Sequence, residues 1–190
     1  MKLSILIITI PERKDSFLYL LNKLEKQTKD QSVEVLALMD NRKRSIGEKR
    51  QNLFDIAKGD YVCMLDDDDD IDNQFIELTL RAIEKDKDVI TFDQLATIDG
   101  SPFIVSFGLV NQNEQAQIND DKHYDDIKRK PFHMCLWKRE VVKECKYPFK
   151  NYGEDAEWVD CACSKAKTEY HINQILHFYK FSTSGSTSAI

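Results

Sequence analysis

The stretch that most constrains this chain runs from Tyr61 to Asp72 and reads YVCMLDDDDDID. An apolar segment of strand character, Tyr61 to Leu65, empties directly into five consecutive aspartates. Adjacent carboxylates repel one another and lose hydration at the end of a buried strand, so the arrangement is unfavourable unless a cation or hydrogen-bond donors compensate. A hard divalent ion such as Mg2+ or Mn2+ takes oxygen ligands and keeps open positions for substrate phosphates. The run from Asp66 to Asp70 therefore reads as a metal and phosphate site at a strand end. A solvated acidic turn is the plainer reading of a charge run, and the abutting strand weighs against it.

The pattern around this stretch predicts an α/β chain. Residues 3–9 are a continuous apolar run, suited to a strand covered on both faces. Pro11 opens a helix in which Phe17, Leu18, Leu20, Leu21 and Leu24 recur at helical spacing, and its missing N–H costs nothing in a first turn. A strand at 33–39, a helix at 48–58 closed by Gly59, the strand at 61–65, a helix at 73–85 and a strand at 89–92 complete a β-α-β-α-β-α-β order. Such chains form open sheets with right-handed crossovers and bind ligands outside the carboxyl ends of the strands. Thr9, Asp40 and Asp66 stand at such ends.

The second half is less regular. Ile98-Asp99-Gly100 predicts a hairpin between 91–97 and 103–109, followed by a polar loop over 111–126. A strand at 132–137, a short helix at 139–145, a loop at 152–155, a helix at 156–165 and strands at 168–172 and 175–181 are expected next. Residues 182–190 are too small and polar to pack.

Length and charge narrow the function classes. A chain of 190 residues carries one full domain. A net charge of -6 weighs against gripping nucleic acid by a basic face alone. The apolar segment between Lys2 and Pro11 is too short to span a membrane and lacks a small-residue cleavage site. Five cysteines without C-x-x-C spacing are expected to be reduced thiols of a cytoplasmic protein.

Three uses of the aspartate run are separable by position. An EF-hand loop finds Asp66, Asp68, Asp70 and Glu77 at the right places, but Ile71 stands where glycine is required and a strand precedes it where a helix should. A haloacid-dehalogenase-type phosphatase puts D-x-D-x-Thr or Val after its first strand; here the run follows the third, and Asp70 replaces Thr or Val. The third use is a D-x-D motif. The stretch SIGEKRQNLFDIAKGDYVCMLDDDDD (residues 45–70) resembles the nucleotide-sugar-dependent glycosyltransferases of the GT-A fold, family-two-like members especially, which read G-x-x-x-A-R-N through A-x-G-x-Y to L-D-x-D here. The likeness extends to the first strand, to Asp40, and to Gly153-Glu154-Asp155, similar to the family's x-E-D motif, and so covers residues 3–160.

The resemblance implies a GT-A-like, Rossmann-related, mostly parallel open sheet flanked by helices in a single domain over 1–181. Residues 1–100 would be its nucleotide-binding half and 101–181 its acceptor half, with 182–190 a flexible tail. It implies a Mn2+ or Mg2+ ion held by Asp68, with Asp66 sharing its shell or facing the ribose, and His177 as a late ligand. Asp40 would accept from the base, usually uracil, and Arg50 would lie near base or diphosphate. Asp67 joins the donor site because the register of five aspartates is open by one. The first strand ends Thr9-Ile10-Pro11-Glu12-Arg13 where the family reads P-T-Y-N-R, so Arg13 matches and Thr9 and Pro11 are its neighbours at the donor.

The chemistry needs two acidic sites. A diphosphate leaves readily only if its developing charge is neutralised, as a metal does. An acceptor hydroxyl needs a carboxylate to remove its proton, typically worth about 10²–10⁴-fold. Asp155 is the expected base, Glu154 would hold acceptor hydroxyls or orient Asp155, and Trp158, one turn on, would stack on a sugar face. The plainer reading of Glu154 and Asp155 is an acidic pair at a helix N-terminus, and that of Trp158 a core aromatic. His133 and His171 read as structural, and Arg42, Lys43, Arg44 and Lys49 as a solvated face able to steer an anionic donor. The expected activity is transfer of a sugar from a nucleoside diphosphate sugar, a UDP-sugar first, to a hydroxyl of a glycan, a lipid-linked precursor, a protein or a modified base. The x-E-D likeness implies inversion. The competitors are a metal-dependent nucleotidyltransferase, which lacks its glycine-rich phosphate loop here, and a non-enzymatic calcium or nucleotide-binding module.

Overall fold

Strand β1 (Leu3–Thr9) is buried along its whole length, because it has a parallel neighbour on each edge. Strands β2 (Val33–Met39) and β3 (Tyr61–Asp66) pair with it in register. The computed structural model describes residues 1–119 and 123–182. A 3-10 turn at Pro11–Arg13 leads into α1 (Lys14–Thr28), which buries Phe17, Leu20 and Leu24. Helix α2 (Ile46–Ile56) starts where Ser45 Oγ accepts the Glu48 backbone N–H, satisfying a donor the first turn would otherwise leave orphaned.

After β3 come the short strand β4 (Asp70–Ile71) and α3 (Phe75–Ile83), and then β5 (Val89–Ile98), β6 (Ser101–Phe107), β7 (Ile127–Arg129) and β8 (Leu136–Lys138). Helices α4 (Arg139–Val142) and α5 (Glu154–Lys165) precede β9 (Glu169–Phe181). The sheet order is β2-β1-β3-β8-β5-β6-β7, and β9 pairs with β5 and β4. The result is a mixed α/β single domain, an open sheet flanked by helices and parallel through its first three strands. Strand β8 lies antiparallel between β3 and β5, so the fourth strand of the expected parallel series is one place further out than a simple β-α-β count puts it.

The hairpin stands where the sequence places it. Asp99 and Gly100 both have positive φ, 49° and 86°, the left-handed pair a two-residue turn needs. The two expected last strands are one: β9 keeps pairing with β5 across a register shift opposite Phe92 to Gln94, so the polar pair Asn173-Gln174 is a bulge rather than a turn. The strand expected at 132–137 contracts to β8 because Phe132 to Cys135 form a turn, closed by the Cys135 N–H on the Phe132 carbonyl. The short helix expected at 139–145 ends at Val142, and α5 starts at Glu154, two residues early, after Gly153 with φ of 72°. The expected tail lies, from residue 183 on, outside the described residues.

The cysteine expectation is corrected. Cys145 and Cys161 form a disulfide, their Cα atoms 5.8 Å apart, because the chain after α4 turns back against α5. Cys63, Cys135 and Cys163 are free thiols.

Candidate active site

Two cavities meet at the carboxyl end of β3. The first, about 370 Å3, opens over β1 and α2 and is lined by Thr9, Arg13, Arg42, Arg44, Arg50 and Asp67 among others. The second, about 300 Å3, lies under β5 and β9 and includes Gln94, Phe132, His133, Asp155, His177 and Tyr179. Each is large enough for part of a small-molecule ligand. Asp66 lines both.

Arg50 holds this junction together. Its side chain is 5% exposed, with Nη2 2.8 Å from Asp66 Oδ1 and Nε 3.2 Å from Glu154 Oε1. Burial alone would lower the guanidinium pKa, but Asp66 and, less strongly, Glu154 raise it. Burial likewise opposes the charge of Asp66, yet Arg50 and then His133 hold its carboxyl well below the usual range. Glu154 goes the other way, pushed up by burial beyond what Arg50 recovers. Arg50 forms part of the wall of the first cavity, with its charge directed inward at two carboxylates.

The remaining donor candidates divide. Arg13 Nη1 lies 2.9 Å from Asp67 Oδ1 and 3.2 Å from Asp68 Oδ2. It thus reaches the aspartate run from the first cavity. Thr9 lines the cavity too, whereas Pro11 opens the 3-10 turn just outside its lining. Asp40 does not line it either. Its Oδ1 takes Lys49 Nζ at 3.1 Å and the Arg42 N–H, and its Oδ2 takes the Arg44 N–H, so it anchors the loop that presents Arg42 and Arg44.

Asp68 is the aspartate that an ion would relieve. It is about half exposed, and burial pushes its carboxyl up to about 6, with Arg13 opposing and Asp66, Asp69 and Asp67 adding. Two carboxylates, Asp66 and Asp68, suit a hard divalent ion that completes its shell with water and phosphate oxygens. No group of three or more His, Cys, Asp or Glu among the described residues could hold a metal by itself. His177, the expected late ligand, faces the acidic run. Its Nδ1 accepts from Gln94 Nε2 at 2.8 Å and its Nε2 meets Asp69 Oδ2 at 3.0 Å, so both ring nitrogens are occupied and it reaches the run at Asp69 rather than at Asp66 or Asp68.

On the far side, Asp155 sits in the first turn of α5, in the second cavity, and its Oδ1 accepts the Ala156 N–H at 2.7 Å. Trp158 is corrected from a sugar platform to core. It is 1% exposed, stacked on Tyr147 at 5.0 Å and edge-on to Phe54 and Trp137. The aromatics lining the second cavity are Phe107, Phe132 and Tyr179, and Phe149 and Tyr152 are exposed on the loop before α5. Sequence reasoning passed over Gln94 and took His133 as structural. The signal for both was a polar residue inside an apolar run.

The open α/β sheet ends its third strand in the acidic run, between an arginine-rimmed cavity on one side and the acidic start of α5 on the other. The sequence matches the family described as Glycosyl transferase family 2 over residues 5–146, and the chain belongs to that family. No curated protein matches it in sequence. Among solved structures it is similar to S. aureus TarS 1-349, with a TM-score of 0.67 and 17% identity over 95% of this chain and 60% of that one. The same TarS fragment in complex with UDP-GlcNAc gives a TM-score of 0.66 at 14% identity, over 100% of this chain and 61% of that one. Its complex with UDP gives 0.64 at 14%, over 96% and 61%. The chain therefore spans about 60% of the length of these proteins.

Proposed function

We propose that this chain transfers a sugar from a nucleoside diphosphate sugar, a UDP-sugar first, to an acceptor hydroxyl. One observation carries the reading: Asp66 is the shared wall between a cavity rimmed by arginines and a cavity holding the base candidate Asp155. The first suits a diphosphate, since guanidinium forks match phosphate oxygens. The second suits a sugar hydroxyl, with aromatic faces at Phe132 and Tyr179 and a carboxylate at hand. Family membership supports the reaction class, and the TarS complexes support uridine as the base.

In this reading Arg13, Arg42 and Arg44 receive the donor's phosphates, and Arg50 keeps Asp66 ionised and facing the junction. Asp66 and Asp68 would hold Mn2+ or Mg2+, which when bound neutralises charge on the leaving diphosphate. Asp155 takes the proton of the acceptor hydroxyl as that oxygen attacks the anomeric carbon from the face opposite the diphosphate, which inverts the configuration. Glu154, bound to Arg50, fixes the start of α5 and with it the position of Asp155. No helix among the described residues is long and apolar enough to cross a membrane.

Calorimetric titration of UDP, GDP and CDP, each with and without Mn2+, tests the donor half. The expected result is binding of UDP that needs the ion and is lost in Asp68→Ala. If none of the three nucleotides binds under either condition, the transferase reading is wrong.

A further inference from the structure

The transferase reading uses Asp66 and Asp155 and leaves the side chain between them without a role. His133 is buried, its side chain 5% exposed. Its Nε2 lies 3.6 Å from Asp66 Oδ2 and its Nδ1 3.7 Å from Asp155 Oδ2. Its backbone is pinned to the strand that delivers Asp66, because its carbonyl accepts the Met64 N–H at 3.1 Å. Its ring packs on Phe132, centroids 4.5 Å apart. The ring is thus fixed in place relative to β3 while its two nitrogens point at two different carboxylates.

The oxygens are divided in a way that singles out the imidazole. Asp66 Oδ1 is taken by Arg50 and Asp155 Oδ1 by the Ala156 N–H, which leaves the Oδ2 atom of each turned toward His133. Nδ1 is buried and has no hydrogen-bond partner, a costly state for a polar atom unless a partner is close by and function uses it. Both separations exceed a hydrogen bond by about half an ångström, and catalytic hydrogen bonds in an unliganded site are often long in this way. An N–H on Nδ1 faces Asp155 Oδ2 and one on Nε2 faces Asp66 Oδ2.

We propose that His133 is a positioning residue: its Nδ1–H holds Asp155 Oδ2, and so fixes the angle at which the base meets the acceptor hydroxyl once the donor engages Asp66. The proposal rests on the transferase reading above. It ties the two halves of the site by a second route, beside the one from Asp66 through Arg50 to Glu154. A base held by the Ala156 N–H alone can still swing about its side-chain bond, and misplacement of a reacting group by about 1 Å costs on the order of 10²-fold in rate.

Two substitutions and one spectrum test it. His133→Phe keeps the ring and its contact with Phe132 but removes both nitrogens. His133→Asn restores an N–H near the position of Nδ1. In sugar transfer, His133→Phe is expected to lower kcat about 10²-fold with donor KM within about 3-fold of wild type, and His133→Asn to recover about 10-fold of that loss. Wild-type kcat in His133→Phe overturns the proposal, as does an equal loss in both variants accompanied by an equal fall in melting temperature. The second readout needs no turnover: 15N spectra of the imidazole should show a proton on Nδ1 in the UDP complex, or with free protein if UDP does not bind, and a shift of that signal in Asp155→Asn. An unprotonated Nδ1, or a signal indifferent to Asp155→Asn, overturns the proposal. Failure of every nucleotide to bind counts instead against the transferase reading, and the spectrum still decides the contact.

Discussion

At the residue scale, the aspartate run is five residues with different environments. Asp66 and Asp67 each have an arginine, Asp69 has His177, and Asp70 has Lys23 Nζ at 2.6 Å. Asp68 shares Arg13 and carries the raised pKa. An acid whose folded pKa is raised from 3.8 to about 6 holds its proton longer when folded than when unfolded. The native state therefore binds more protons between about pH 4 and 6, and stability falls as pH rises through that window. Asp68→Asn removes the slope. Without divalent ions it should be more stable than wild type at pH 7 by on the order of 1 kcal/mol, discounted for the solvent screening of a half-exposed group, and indistinguishable near pH 4. Urea denaturation at the two pH values reads both. Arg50→Met should act in the opposite direction, leaving Asp66 and Glu154 with no cation between them and costing about 3–5 kcal/mol by urea midpoint. The sequence made Arg50 and the aspartates nameable because motif order fixes them. It misplaced Trp158 because residues four apart share a helix face: Trp158 follows Glu154 into the core, whereas Asp155, one residue round, faces the cavity.

At the scale of elements, the site depends on how closely α2 approaches the loop that launches α5. A Cβ on Gly47 would lie 1.8 Å from the Pro148 carbonyl oxygen, and the Gly47 N–H donates to the Lys150 carbonyl at 3.0 Å. Both partners are backbone, so nothing can swing aside. Gly47→Ala should push the loop from α2, lower stability by about 2–3 kcal/mol and reduce transfer by displacing Glu154 and Asp155 together. A thermal melt and a turnover assay measure the pair. The disulfide clamps the other end of the same segment. Cys145 and Cys161 close a loop 16 residues apart in sequence, and Cys145→Ser should cost about 3 kcal/mol relative to the oxidised protein. Reductant should shift wild type to the same urea midpoint. This pairing was invisible in the sequence because no short spacing marks it; the chain has to turn back at Pro148 before the two thiols meet. The bulge in β9 was hidden for the opposite reason, since a polar pair between apolar runs has the local appearance of a turn.

At the scale of the whole molecule, the β-α-β alternation and the position of the acidic run were readable because they are local patterns. The place of β8 between β3 and β5 was not, because no local pattern says which strand fills a gap in the sheet. Charge is likewise a property of the whole. The chain carries -6 and so, on average, repels a nucleoside diphosphate. The first cavity has to reverse that field locally, yet most of its cations are engaged. Arg13 faces Asp67 and Asp68, Lys49 faces Asp40, and Arg50 faces Asp66 and Glu154. Among the described residues, Arg42 has only Glu12 as an ion-pair partner, at 3.8 Å, and no carboxylate lies within ion-pair distance of Arg44. These two side chains are therefore the ones whose charge reaches an incoming ligand. Replacing both with alanine should raise the Kd for UDP about 10-fold at low ionic strength and less than about 3-fold at 0.5 M salt, where the Debye length is about half its value at 0.1 M and exposed charges are largely screened. A loss that is the same at both salt concentrations would mean that the arginines act by direct hydrogen bonds alone, and no loss at either would move the diphosphate away from this loop.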